Sequence, residues 1–452
     1  MNWKAYPAYV PSGLEWLDDL PHGWTKSGIS TLRADGENTF TDGDWVETPY
    51  ITDSGIRLIQ TGNVGTGEYR EQGFRYVSES TFTELRCKEV LPGDLLICRL
   101  AEPVGRSCVA PDLGVRMITS VDVCILRTRN ALLTKYLNYL FNCAAYQGYV
   151  SSLVRGGTRD RISRKMLGRF QVPLPPPDTI AAITSFLDAG VSKIDALIAK
   201  QEQLIATLRE DRAATITHAV TKGLDFSVDL VQPHNSELPT CPSHWTAQIP
   251  LKRLAEVQTG LTLGKSVDPA EAVEVPYLRV ANVQTSGVDL DEVKTVAVHR
   301  SELSRYLLRG GDVLMTEGGD IDKLGRGCVW SGEISPCIHQ NHVFAVRCKD
   351  RLSSAFLVYL LDTAVARNYF FMTAKKTTNL ASTNSTTLGA FTFSLPPRAE
   401  QDEIVGHLNE RCAGLDALIA KANAVIEVLR EYRAALITDA VTGKLDVRGA
   451  VA

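Results

Sequence analysis

No stretch of this 452-residue chain approaches 18 consecutive apolar residues, so no membrane-spanning helix is expected. The opening, MNWKAYPAYVPSG, has neither the charged n-region nor the apolar h-region of an export signal, and a cytoplasmic protein is expected. Ten cysteines stand singly, without a CxxC pair, which argues for reduced, buried thiols and against a zinc ribbon or disulfide framework. Excess positive charge is also missing. The net charge is −4, so bulk electrostatics will not grip a polyanion, and any nucleic-acid contact must use local patches or a partner. Hydrophobic residues at 44% and charged residues at 22% are ordinary for soluble proteins, and the length implies several domains rather than one core.

Catalytic signatures are missing as well. GLTLGKS at Gly260 to Ser266 imitates a phosphate-binding loop, but Thr259 stands where the motif needs its first glycine, and a turn is expected instead. Cys337-Ile-His-Gln-Asn-His342 offers metal-ligand residue types without a second ligand cluster. The Asp/Asn-Pro-Pro-aromatic step used by adenine methyltransferases is absent, because each LPP is followed by Pro177 or Arg398. No catalytic residue, cofactor or metal is expected.

What is present is a repeat. DALIAK occurs from Asp195 to Lys200 and again from Asp416 to Lys421, 221 positions apart. The same offset pairs Leu174-Pro-Pro with Leu395-Pro-Pro, Leu208-Arg-Glu with Leu429-Arg-Glu, Arg212-Ala-Ala with Arg433-Ala-Ala, and Ala219-Val-Thr with Ala440-Val-Thr. Weaker pairs lie upstream, among them Pro21-x-x-Trp24 with Pro242-x-x-Trp245, Gly93-Asp94 with Gly311-Asp312, and Gly105-Arg106-x-Cys108 with Gly325-Arg326-x-Cys328. The chain is two copies of one module.

Each module has a front part and a tail. In the tails, apolar or small residues fall at Leu187, Val191, Ile194, Ile198, Ile205 and Leu208, and again at Leu408, Cys412, Leu415, Ile419, Ala422, Ile426 and Leu429. This alternating four-three spacing predicts one narrow seam on a long helix, the pattern of a coiled coil. Proline before and glycine after each copy mark a helix of about 40 residues, roughly 60 Å long, whose obvious partner is the other copy. The fronts carry short β-rich runs, such as Asp94-Leu-Leu-Ile-Cys and Val343-Phe-Ala-Val, followed by helical stretches over Thr134 to Tyr149 and Leu352 to Tyr369. The expected fold class is α+β: two mixed domains joined by two long antiparallel helices. The fronts are far less alike than the tails, which suggests related sites for different ligands.

Fronts ending in LPP, a helix bearing LRE-x-x-R-A-A and an exit A-V-T-x-x-L-D, all written twice, resemble the specificity subunit of type I DNA restriction-modification systems. The opening Tyr6-Pro7, Ser12-Gly13-Leu-Glu15-Trp16-Leu17 and Pro21-x-x-Trp24 extend the resemblance to essentially the whole chain. One departure is Thr179-Ile180, where the family has Glu-Gln as at Glu400-Gln401; another is the linker Val231 to Thr240. The resemblance implies a non-catalytic subunit for defence against phage, binding double-stranded DNA with two methyltransferase subunits and restriction subunits. It implies an N-terminal arm (1–20), a first target recognition domain (21–173), a central spacer helix (174–225), a linker (226–245), a second recognition domain (246–394) and a distal helix with tail (395–452). The other reading is an adaptor whose coiled coil holds two protein-binding domains.

DNA-contact candidates follow from residue chemistry. Ser152 to Arg161 is a glycine-rich basic loop, continuing to Arg164, Lys165 and Arg169; Arg155, Gly157, Thr158, Arg159 and Arg161 combine guanine-reading arginines with close backbone approach. The counterpart loop offers Lys375, Lys376, Thr377 and Asn379 for phosphate and adenine. Arg99 and Arg106 follow the first Gly-Asp, Thr316, Lys323 and Arg326 follow the second, and Gln340 and Asn341 complete the set.

Overall fold

The computed structural model describes residues 4–100, 103–154, 161–236, 238–264, 267–284, 287–319, 324–376 and 381–449. They form two compact units, Met1–Gln201 with Ala424–Ala452, and Glu202–Asn423. Each unit holds one front domain and parts of both long helices.

In the first unit, strands Phe40–Asp42, Val123–Leu126, Leu95–Cys98 and Ser107–Val109 pair antiparallel in that order. Leu95–Cys98 and Val123–Leu126 are buried at every position, so they read as unbroken apolar runs rather than as alternating ones. In a second sheet, Ile56–Ile59 lies parallel to Met117–Thr119. The second unit repeats the design: Ala255–Thr259, Val343–Cys348, Val313–Thr316 and Gly327–Val329 pair in the same order, and Ala272–Leu278 lies parallel to Ile338–His339.

Both Gly-Asp pairs are turns and braces. Gly93 and Gly311 have φ of 91° and 93°. Asp94 is buried and accepts from Arg127 on both oxygens at 2.7 Å; Asp312 accepts from Arg347 at 2.9 and 2.7 Å.

The helical stretch expected over Thr134 to Tyr149 is two helices, Ala131–Phe141 and Ala144–Val154; that over Leu352 to Tyr369 is Ser354–Leu361 and Ala364–Thr373. Polar side chains mark the breaks. Asn142 accepts from the Ser107 N–H at 3.2 Å and donates to the Ser107 carbonyl at 3.0 Å. Thr363 caps the next helix by accepting from the Ala366 N–H at 3.3 Å.

The long helices are Pro177–Lys222 and Arg398–Val441, 46 and 44 residues. In the first unit, Ile180, Ile183, Leu187, Val191 and Ile194 pack with Leu436, Ile437, Ala440 and Val441. The segments run antiparallel: Asp195 pairs with Arg433 at 2.8 Å, while the Tyr136 hydroxyl lies 3.1 Å from the carbonyl oxygens of both Pro173 and Val441. In the second unit, Ile216, Ala219 and Val220 share a core with Ile404, Leu408 and Cys412, and Arg212 pairs with Asp416 at 3.2 Å. The aspartate that opens each DALIAK thus meets the arginine of the other copy's Arg-Ala-Ala.

Each helix ends against a front domain's entrance. Gly443 takes φ 77°, and a Cβ there would stand 2.5 Å from Pro21; Gly223, φ 76°, packs likewise on Pro242 and Trp245. Glu400 accepts from the Trp245 indole at 3.0 Å. Gln401, fully buried, accepts from the Ser353 N–H at 2.8 Å and donates to the carbonyls of Arg351 and Pro396. At Thr179-Ile180 the first copy buries apolar surface instead. Residues 9–14 and 17–21 form a hairpin that places Leu17 and Leu20 in the first core, and Cys241 and Trp245 join the second.

Candidate nucleic-acid interface

At one end of the antiparallel sheet in the first unit, four chain segments are stitched together by backbone hydrogen bonds. The Arg99 N–H donates to the Asp122 carbonyl at 2.8 Å, and the Ile162 N–H donates to the Arg99 carbonyl at 3.0 Å. The Gly43 N–H donates to the Val123 carbonyl at 3.0 Å. Gly43 is obligatory here, because a Cβ would lie 2.3 Å from the carbonyl oxygens of both Thr119 and Ser120.

The second unit makes the same crossing with different side chains. The Glu317 N–H donates to the His342 carbonyl and the Thr383 N–H to the Glu317 carbonyl, both at 2.8 Å. Gly260 fills the place of Gly43, where a Cβ would meet the His339 carbonyl oxygen at 2.1 Å. These bonds equate Arg99 with Glu317, Asp122 with His342, and Ile162 with Thr383. Around the first crossing, Arg99 lies 3.0 Å from Asp42 and Arg161 pairs with Asp122 at 2.9 Å; around the second, His342 Nδ1 lies 2.7 Å from Glu317. Arg161 and His342 are exposed. Strand Lys375–Lys376 pairs with Ala381–Ser382, which pairs with Gly318–Gly319, so the lysine strand sits beside the Glu317 crossing. Thr316 ends its strand next to this crossing, and Gln340 and Asn341 are half-buried in the loop that carries His342.

Two arginines expected at the surface are interior. Arg99 is 4% exposed and donates to the carbonyls of Ile162, at 3.1 Å, and Val121. Arg106, 8% exposed, donates to the carbonyls of Val64 at 2.7 Å, Thr61 at 2.8 Å and Pro103 at 3.0 Å. Their guanidiniums hold loops together rather than face a ligand. Arg326, in the matching position, is half-buried. Arg155, Gly157, Thr158, Arg159, Lys323, Thr377 and Asn379 lie outside the described residues, as does the side chain of Lys376. Replacing Arg99 by alanine is therefore expected to destabilise the first unit by about 2–4 kcal/mol, through lost bonds to buried carbonyls and an Asp42 deprived of its closest cation. Urea unfolding of the purified chain measures this; unchanged stability would return Arg99 to the surface set.

Cys337 and His339 are buried, whereas His342 lies in the exposed turn that follows. Burial pushes the Cys337 thiol up to about 12 and lowers the His339 imidazole, whose Nδ1 lies 2.6 Å from the Val343 carbonyl oxygen. His342 instead faces outward to Glu317. Sequence reasoning weighed His342 only as a metal ligand and passed over Asp42, Asp122 and Glu317. Carboxylates accept from the cytosine amino group, and that chemistry was the available signal.

Residues 242–428 match the family described as the type I restriction modification DNA specificity domain. The specificity subunit of the type I restriction enzyme EcoKI from Escherichia coli (strain K12) is 23% identical, over 94% of this chain and 90% of its own length. One solved structure, titled as the basis of complex assembly and conformational transition of the type I R-M system, shares the fold with TM-score 0.69 at 15% identity, covering 94% of this chain and 99% of that one. The HsdS subunit from Thermoanaerobacter tengcongensis does so with TM-score 0.52 at 15% identity, covering 94% and 98%. Residues 242–428 are thus similar to the type I restriction modification DNA specificity domain, and the chain is similar along nearly all its length to the specificity subunits of type I restriction enzymes.

Proposed function

We propose that this chain is the DNA-reading, non-catalytic subunit of a cytoplasmic type I restriction-modification complex. Each front domain reads one half of an asymmetric, bipartite double-stranded target. The long helices set the spacing between halves and dock two methyltransferase subunits, to which restriction subunits add. The observation that carries this reading is the duplicated crossing: one backbone arrangement presents Arg161 and Asp122 in the first unit, and Glu317, His342 and Lys375 in the second. Arginine pairs with guanine, carboxylates accept from cytosine and lysine meets phosphate or guanine, so one scaffold with exchanged side chains reads two different sequences.

Single variants Arg161→Ala and Glu317→Ala, each assembled with the methyltransferase subunits, test this. Arg161→Ala is expected to relax only the first half of the methylated sequence and Glu317→Ala only the second, by about 1–3 kcal/mol per base contact. Both are partly exposed, so stability should barely change. Methylation patterns unaltered in both variants, at wild-type rates, would remove the crossings from the reading surface.

A further inference from the structure

Beside the first crossing lies an open groove of about 460 Å³, between helix Arg164–Arg169 and the 3₁₀ turn Ile29–Leu32. Four cations border it: Arg33, Arg164, Lys165 and Arg169. Among the described residues, Arg33, Lys165 and Arg169 have no acidic partner within ion-pair distance. Arg164 lies 3.6 Å from Asp42, a carboxylate already engaged by Arg99 at 3.0 Å. Like charges gathered without counter-charges repel one another, so packing alone does not explain them.

The second unit supplies an internal control. Its helix Ser385–Ala390 keeps the buried framework, with Leu388 and Gly389 for Leu167 and Gly168, followed by Phe391 for Phe170. The Ile29 N–H donates to the Phe170 carbonyl at 3.0 Å as the Leu251 N–H does to Phe391 at 2.9 Å, which sets Arg33 against Ala255. Yet Ser385, Thr386, Ala390 and Ala255 stand where the first unit has Arg164, Lys165, Arg169 and Arg33. On the turn itself the second unit has Lys252 and Arg253 where the first has Ser30 and Thr31. The fold therefore does not require the groove's charge.

We propose that this groove holds the sugar–phosphate backbone of duplex DNA beside the half-site read by the first domain. It gives the first domain a sequence-independent anchor of four cations where the matching place on the second carries two, Lys252 and Arg253. The proposal rests on the DNA-reading function above. Lysine and arginine contacts to phosphate position a duplex without specifying bases, and each neutralised phosphate contributes about 0.9 to the salt dependence of log K.

The test uses the full chain assembled with its methyltransferase subunits. The double variant Lys165→Thr, Arg169→Ala installs the second unit's own residues at matching positions, so the fold should tolerate it; thermal unfolding checks that. Affinity for duplex DNA is measured against salt on three duplexes: the cognate target, one scrambled in the first half-site and one scrambled in the second. The expected result is a log–log salt slope shallower by about 2, at least tenfold weaker binding of all three at about 0.1 M salt, and an unchanged methylated sequence. The converse variant, Thr386→Lys with Ala390→Arg, should steepen the slope. Wild-type discrimination between cognate and scrambled duplexes, with no change of slope in either variant, overturns the groove alone. Weakened binding of methyltransferase subunits with the DNA slope intact also overturns it, assigning the groove to protein docking. No discrimination by the wild-type complex sinks the DNA-reading function itself.

Discussion

Exchanging residues 246–394 for the matching segment of another specificity subunit is expected to change one half of the methylated sequence completely and leave the other half as it was. The cut follows a structural seam. Thr246 pairs with Leu395 where strands Thr246–Pro250 and Thr392–Leu395 close the second front domain, as Thr25 pairs with Leu174 in the first. What stays behind grips the incoming domain in two ways: Gln401 reaches the Ser353 N–H and the Arg351 carbonyl, bonds that any residue type supplies, and Ile216, Val220, Trp245, Ile404 and Leu408 share an apolar core with Leu352, Phe356, Leu357 and Leu360. The donor must therefore supply apolar residues at the core positions and two polar contacts. Asp362 pairs with Arg212 at 3.3 Å, and the Tyr359 hydroxyl donates to Asn409 at 2.8 Å; a donor with these two residues in place will assemble best. Several base pairs change partners at once, at about 1–3 kcal/mol each, so the old half-site should lose 10³-fold or more in preference. Genome-wide mapping of methylated adenines reads the result. A change in both halves would mean that recognition is coupled between domains.

The tails were legible because a helical seam is a one-dimensional pattern. Spacing alone located Leu187, Val191 and Ile194 in one buried stripe, and the duplicated Asp195 and Asp416 answer Arg433 and Arg212 across it. The continuous apolar strands were legible for the same reason. The crossings were not, because residues far apart in sequence make them: Asp42, Arg99, Asp122 and Arg161 belong to four separate segments. Nor does an arginine's letter reveal its solvent. Arg99 and Arg161 both contact Asp122, one by its backbone N–H and one by its guanidinium, yet three backbone and carboxylate partners draw the first side chain inside while the second stays half-exposed. The breaks at Asn142 and Thr363 were hidden likewise, since they depend on what those side chains find in the folded domain. One-dimensional periodicity reports burial; a site assembled from loops requires the fold.

A fragment ending near Asp225 is expected to dimerise and, with methyltransferase subunits, to methylate a palindrome built from the first half-site and its inverted repeat. Such a fragment keeps the first front domain and the whole central helix but loses the distal helix, so Ile180, Ile183, Leu187, Val191 and Ile194 lose the cover of Leu436, Ile437, Ala440 and Val441. Five apolar side chains stripped of this cover represent up to roughly 10 kcal/mol of unrealised burial, the same order as the cost of association. The second copy of the fragment carries the replacement. Ile216, Ala219 and Val220 stand 221 positions before Ile437, Ala440 and Val441 with identical residue types, and Arg212 is available for Asp195 as Arg433 is in the intact chain. Leu224 matches Leu445, while Gly223 stands one position later in the shared frame than Gly443, which turns beside Pro21 and Trp24. Two further mismatches weaken the exchange: Thr215 replaces Leu436, and the fragment has no Arg448 to sit 4.7 Å over the Tyr6 ring. The dimer should therefore be looser than the intact packing, forming in the low micromolar range, and Thr215→Leu should tighten it. Sedimentation across concentrations, paired with methylation mapping, decides the matter. A folded fragment that stays monomeric at high micromolar concentration, or a dimer that methylates only the original asymmetric target, would show that the repeated helices do not substitute for one another.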